Sequence, residues 1–363
     1  MPQTKTQRSN GLIDSPNQRR NPRRWRHEYV GETLAPPDAV VYELGDGDAF
    51  GPAPAKVQRE LGLAGSLPPG LILNADDLGI HPRINAGILS AYRHGILTSC
   101  TMLMTTAYFD ETIRDYVRPQ ALPIGIHLSL TLGKAVAPHS EVPDLIDESG
   151  NLKLGADRLI LGSFKDESGT ALLPQIRREF AAQLARARDH GLRPTHADSH
   201  QHVHMNPVIF RLVEEMLPHF GIDRLRFSRE TFHAFVLGPG LSDVMKRNNL
   251  AKWALLRWRA ARSVPTLAST DDFFGVLYSG TVTPRAMSAL LRRAAPGRSL
   301  EICIHPGFPA PDDVNDYPRP GYNAFISAAA RQTEHDVLTD PNLAALVRER
   351  GLVLRAFDGA IKN

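Results

Sequence analysis

Cysteine is almost absent: 363 residues contain two, Cys100 and Cys303. That count excludes a disulfide framework and a cysteine-rich zinc module. No apolar run approaches the ~20 residues of a spanning helix, so an integral membrane protein is excluded. No apolar h-region opens the chain as written, so a cytoplasmic location is expected. There is no PCxxC, as a zinc nucleobase deaminase would need, and no GxSxG elbow of a serine hydrolase. Internal repeats and low-complexity tracts are missing from the body. What is present is ordinary globular material, 42% hydrophobic and 22% charged, enough for a full core.

Charge is balanced at +3 but unevenly spread. Residues 1–30 carry seven basic groups (Lys5, Arg8, Arg19, Arg20, Arg23, Arg24, Arg26) against Asp14 and Glu28. The remainder is near neutral, so nucleic acid is not an expected partner. Residues 1–68 lack a sustained period and read as a basic, disordered N-terminal extension. Residues 69–363 read as the catalytic domain.

From residue 71 the texture changes. LILNADD is an apolar run ending in carboxylates, as a buried parallel strand does. INAGILSAYRHG reads as a helix with Ile84, Ile88 and Ala91 on one face and Gly95 as its stop. SCTMLMTT and LPIGIHLSLT read as strands. LPQIRREFAAQLARARDHG reads as an amphipathic helix, THADSH as a strand end, and PVIFRLVEEMLPHFG as a helix opened by Pro207. DRLRFSRE, helices near 241–262 and 285–294, LEICIHPG, LAALVRERG and LVLRAF follow. This β-α-β-α order gives an α/β fold with a (β/α) barrel-like parallel sheet.

Four strand-like segments end in groups that carry chemistry. The first ends in Asn74, Asp76 and Asp77, and another carries His127. THADSHQHVH supplies His196, Asp198, His200, His202 and His204, and LEICIHPG ends in His305. Parallel α/β folds gather such ends on one face. Of two adjacent carboxylates, one can bind a metal while the other acts as a base; capping of a following helix is the bland alternative. Four histidines in nine residues, with an aspartate among them, fit a divalent metal. Spacing leaves open whether HQHVH alternates as a strand or stacks as a helix. His127 is a natural third ligand, and His305 is a candidate general acid. One carboxylate and two histidines leave room for water and substrate, as in a metal-assisted amide hydrolase.

NADDLG, GIHLSLT, THADSHQHVHMNP, EICIHPGFP and HDVLTDP, in that order, resemble the YdjC-like carbohydrate deacetylases. That family includes the chitooligosaccharide deacetylases and hopanoid-associated deacetylases. The resemblance covers roughly residues 70–358. It implies a barrel of the glycoside hydrolase/deacetylase type, one divalent metal, and hydrolysis of the N-acetyl group of an N-acetylglucosamine-type sugar. Carried over by motif, Asp77, His127 and His200 are the metal ligands, Asp76 the catalytic base, and His305 the acid or an oxyanion-stabilising group. Asn74, Asp198, His202, His204 and Arg226 fall to supporting or substrate-contacting roles. Mg2+ is the metal the family implies; the ligand set also suits Zn2+.

Two features depart from the family pattern: the extension before residue 70 and a basic helical insert near 241–268. In the insert Trp253, Leu256 and Ala260 recur at helical spacing among Lys252, Arg257, Arg259 and Arg262. It reads as a helix packed on the barrel, with contact to a membrane surface as the alternative. The expected partners are an N-acetylated sugar or a glycolipid, and a homodimer is a further expectation. A metal-dependent phosphoesterase, which usually needs two metals, and a catalytically dead sugar-binding protein are the competing classes.

Overall fold

A computed structural model describes residues 65–162, 167–231, 247–263 and 265–362. Most of the expected N-terminal extension (1–64) and the start of the insert (241–246) lie outside the described residues. Six strands form one sheet: β1 (Gly70–Leu78), β2 (Ser99–Leu103), β3 (Ile124–Leu128), β4 (Ala197–Ser199), β5 (Asp272–Phe274) and β6 (Ser299–Ile304). Their order is β4-β3-β2-β1-β6-β5, with every pairing parallel. Two further parallel bridges, Ala197 with Leu225 and Glu230 with Phe273, insert residues 224–230 between β4 and β5. The sheet thereby curls into a ring, the barrel-like parallel sheet expected from the β-α-β-α order.

Ten α-helices surround it among the described residues: α1 (Pro82–His94), α2 (Phe109–Thr112), α3 (Ala156–Leu161), α4 (Glu167–Asp189), α5 (Pro207–Met216), α6 (Arg247–Ala260), α7 (Pro284–Leu291), α8 (Pro320–Ser327), α9 (Ala330–Thr339) and α10 (Pro341–Glu349). Both faces of the sheet are covered, so β1 is buried at all nine positions, as parallel strands require. The His81 side chain accepts from Arg83 N, and Pro82 opens α1, which buries Ile84, Gly87, Ile88 and Ala91. In α4 the buried polar residues tie down the loop after β3: Gln183 bonds Ser129 N and O, and Glu179 accepts from Val136 and Ala137. No helix among the described residues is long and apolar enough to cross a membrane.

One reading changes in detail, while the insert is helical as expected. DRLRF, which reads as a strand, contributes isolated bridges rather than a full strand, and LVLRAF pairs in the same way. The short β5 and the helices α8 and α9 were not expected. The insert is helical over Arg247–Ala260 and buries Leu256 and Ala260 against the barrel.

Candidate metal centre and active site

The strand ends meet on one face, and local backbone departures aim their side chains. Along a regular strand Asp76 and Asp77 would point to opposite faces. Instead the β1–β2 register shifts between Ala75 and Leu78, and Asp77 takes a φ of 70°. A left-handed conformation at a non-glycine residue is held only by surrounding structure. Here it brings both carboxylates to the same end of the barrel. The HQHVH stretch is neither strand nor α-helix. Gln201 and His202 are left-handed at φ 56° and 58°, which turns His200 and His202 into a cavity and folds His204 back beneath them. The cavity, about 350 Å³, is lined by Asp76, His127, His200, His202, Lys252 and His305, with Tyr322 and Phe325 of α8 on another wall.

Asp77, His127 and His200 each bring a ligand-type atom within 4.8 Å of the other two. His200 Nδ1 lies 3.2 Å and His127 Nε2 3.5 Å from Asp77 Oδ1. His127 is oriented from behind, its Nδ1 lying 2.6 Å from Asp198 Oδ1, the usual carboxylate support of a metal-binding imidazole. The other Asp77 oxygen accepts from Arg331 Nη2 at 3.0 Å. Burial alone would push the Asp77 carboxyl up, but the His200 hydrogen bond and the Arg331 guanidinium together hold it far below the carboxylate range. Burial would lower His127, yet Asp198 and Asp76 outweigh it and lift it to about 9. His200 Nε2 is buried with no hydrogen-bond partner, a costly state for an imidazole nitrogen. One ionised carboxylate, two convergent imidazoles and that orphaned nitrogen fit a divalent ion.

Two other groups, Asp76–Cys303–His305 and Asp76–His127–Asp198, meet the same distance test. Both share Asp76, and a cation already sits there. Arg226 donates to Asp76 from Nη1 and Nη2, each at 2.7 Å, and reaches Asp198 Oδ2 and Glu301 Oε1 at 2.6 Å. Guanidinium charge beside those oxygens opposes a second cation, so the Asp77 group is the better metal site. Asn74 adds a donor to Asp76 at 3.0 Å. Burial would raise the Asp76 carboxyl, but Arg226 and His127 hold it well below its ordinary range.

The substrate contact considered for Arg226 does not fit. Its side chain is fully buried and acts through Asp76 instead. His305, at the end of β6, lines the cavity, while its buried Nδ1 has no hydrogen bond and lies 3.9 Å from Glu334 Oε2. Its backbone N–H donates to Glu334 at 2.6 Å, and burial pushes its imidazole down to about 4. His202 shares a hydrogen bond with Ser228 at 2.9 Å. His204 is buried between Ser199 and the Arg226 carbonyl, and burial holds it at about 3. It supports the wall rather than the cavity. Sequence reasoning missed Arg331 and Glu334, single polar residues on the inner face of α9, and the cavity position of Lys252. Their periodic burial beside HDVLTDP was the only available hint for the first two.

A parallel barrel whose strand ends gather a carboxylate–imidazole cluster beside a second, guanidinium-held carboxylate has the build of a metal-dependent barrel hydrolase. The chain belongs to the YdjC-like protein family, whose profile matches residues 70–349. It is 33% identical to a chitooligosaccharide deacetylase of Serratia marcescens over 79% of this chain and 97% of that protein. It is 29% identical to a carbohydrate deacetylase of Geobacillus stearothermophilus over 80% of this chain and 98% of that one. The crystal structure of an Enterococcus faecalis protein named for cellobiose-phosphate cleavage superposes with a TM-score of 0.58 at 25% identity, over 79% of this chain and 97% of that one.

Proposed function

We propose that this chain is a metal-dependent carbohydrate N-deacetylase. Its substrate is an N-acetylglucosamine-containing sugar of the chitooligosaccharide type, and its products are acetate and a free amine. The observation that carries this reading is one cavity lined by Asp76, His127, His200 and His305, with Asp77 buried behind it and converging on the two imidazoles. The names of the Serratia and Geobacillus relatives point to the same chemistry.

Asp77, His127 and His200 would hold the ion, Mg2+ by family or Zn2+ by ligand type. When bound, such an ion acidifies water and polarises an acyl carbonyl. Asp76 accepts the proton of the attacking water. Arg226 keeps that carboxylate ionised and fixed in direction. His305 gives a proton to the leaving nitrogen; burial, the larger effect, opposes its charged form, while Asp77 and Asp76 favour it. The test is acetate release from N,N′-diacetylchitobiose. Release should vanish with EDTA and return with Mg2+ or Zn2+; release insensitive to chelation would overturn the metal assignment.

A second substrate reading rests on a different observation. Trp258 is 46% exposed and Leu161 57%, and the guanidinium groups of Arg259 and Arg262 lie over the Trp258 ring. Exposed apolar groups beside cations suit a lipid surface. The alternative substrate that such a surface would serve is a membrane-borne N-acetylglucosaminyl lipid, such as a hopanoid. Comparing turnover of the same headgroup in solution and on anionic vesicles decides between them.

A further inference from the structure

The insert does more than cover the barrel. Trp253 Nε1 and Arg257 Nη1 of α6 donate to the Glu230 carbonyl at 3.1 and 3.2 Å. The Glu230 side chain in turn accepts from the backbone N–H groups of Gly275, Val276 and Leu277. With Leu256 and Ala260 buried, this turn of helix is fixed over the ends of the strands. From it Lys252 reaches the cavity wall beside Asp76, His202 and His305.

The other cations near the site are committed except at one atom, the buried Arg331 Nη1, which has no hydrogen bond and belongs to a residue that does not line the cavity. Arg226 is bound by Asp76, Asp198 and Glu301. Arg331 is bound to Asp77 and the Phe325 carbonyl. Arg319 donates to the carbonyls of Lys153 and Leu154. Lys252 has no hydrogen bond or ion pair among the described residues. Burial weighs against its charge, while Cys303, Asp76, Glu230 and Asp77 favour it. Amide hydrolysis begins with a neutral acyl group and creates one negative charge on its oxygen. A preorganised donor without another partner is worth most where such charge develops.

Building on the deacetylase reading, we propose that Lys252 is a catalytic residue: its ammonium donates an N–H to the substrate's acyl oxygen and holds the negative charge that forms there. Water oxygen bonds to the acyl carbon as its proton passes to Asp76, and the carbonyl π pair moves onto the acyl oxygen facing Lys252. When that pair returns, the C–N bond breaks. Its electrons go to nitrogen, which takes a proton from protonated His305; the acid formed returns its remaining hydroxyl proton to the neutral His305, the Asp76 proton leaves with the amine, and acetate leaves with one oxygen still on Lys252.

The test uses the full chain carrying its metal, with diacetylchitobiose as substrate and acetate as product inhibitor. Lys252→Met and Lys252→Gln should each lower kcat about 10²- to 10³-fold, the cost of one oxyanion donor, with KM changed less than about threefold. The acetate inhibition constant should rise roughly tenfold or more, as expected for a lost hydrogen bond to a charged group. Metal content and Tm should match the wild type. Undiminished kcat overturns the proposal, as does a raised KM at unchanged kcat, which would make Lys252 a ground-state handle. Absence of acetate release by the metal-loaded wild type from both diacetylchitobiose and the vesicle-borne headgroup would instead overturn the deacetylase reading.

Discussion

Asp76 and Asp77 are chemically identical neighbours in different surroundings, and the proposed roles follow from that difference. Asp77 faces two imidazoles, with Arg331 behind it. Asp76 lies in the Arg226 fork, with Cys303 Sγ 3.2 Å away. A neutral amide at position 76 still hydrogen-bonds its neighbours but accepts no proton from water. Asp76→Asn should therefore keep its metal and fold, and lose turnover by about 10²- to 10⁴-fold, the usual worth of a general base. His200→Ala should lose both metal and turnover, because it removes a ligand from the cluster. Elemental analysis beside initial rates checks the pair. Metal loss in Asp76→Asn, or metal retention in His200→Ala, would reverse the assignment.

At the scale of elements, α1 meets the loop that carries His305. A Cβ on Gly87 would lie 2.5 Å from Gly307 Cα and 2.6 Å from Phe308 N. Alanine in a helix interior normally gains about 1 kcal/mol over glycine. Here the obstacle is backbone that cannot rotate away, and overpacking of this kind costs about 1–3 kcal/mol. Gly87→Ala should thus lower Tm and, by shifting Gly307 and Phe308, lower kcat with metal content unchanged. A raised Tm would show that helix and loop separate freely. The same scale explains what was legible in the sequence. Parallel strands announce themselves as apolar runs, and polar residues at or near their ends mark one face, so the convergence of Asp76, Asp77, His127, His200 and His305 at that face could be read directly. The bulge that turns Asp77 inward leaves no mark in composition. Residues 224–230, where DRLRF reads as a strand, complete the ring through isolated bridges only, because few of their backbone groups pair with β4 and β5. Arg331, Glu334 and Lys252 sit on helices, where one inward polar residue looks like any other. Lys252 in particular belongs to a basic stretch that reads as a solvated face until the helix is docked.

For the whole molecule, the barrel interior stores charge whose cost depends on pH. Burial lifts the carboxyls of Glu230, Glu301 and Glu334 from the ordinary 4.5 to about 7, and hydrogen bonds and, for Glu301, Arg226 offset only part of the burial. Glu230 is the simplest of the three, because its partners are the Gly275, Val276 and Leu277 amides rather than the metal cluster. Its folded pKa lies above its unfolded value. The native state therefore binds the proton more tightly, and the stability this contributes is complete below about 4.5 and lost as pH rises through about 7. At 1.36 kcal/mol per pKa unit, the loss between pH 5 and 8 is about 2–3 kcal/mol. Glu230→Gln cannot ionise, so its deficit relative to wild type should shrink by about that amount over the same interval, whatever its constant packing cost. Urea unfolding of both EDTA-treated proteins at pH 5, 6, 7 and 8 measures the difference, in which the titrations common to both chains cancel. Parallel stability curves would mean that Glu230 ionises as readily inside the barrel as in the unfolded chain, and that the loop of amides it caps, rather than burial, governs its charge.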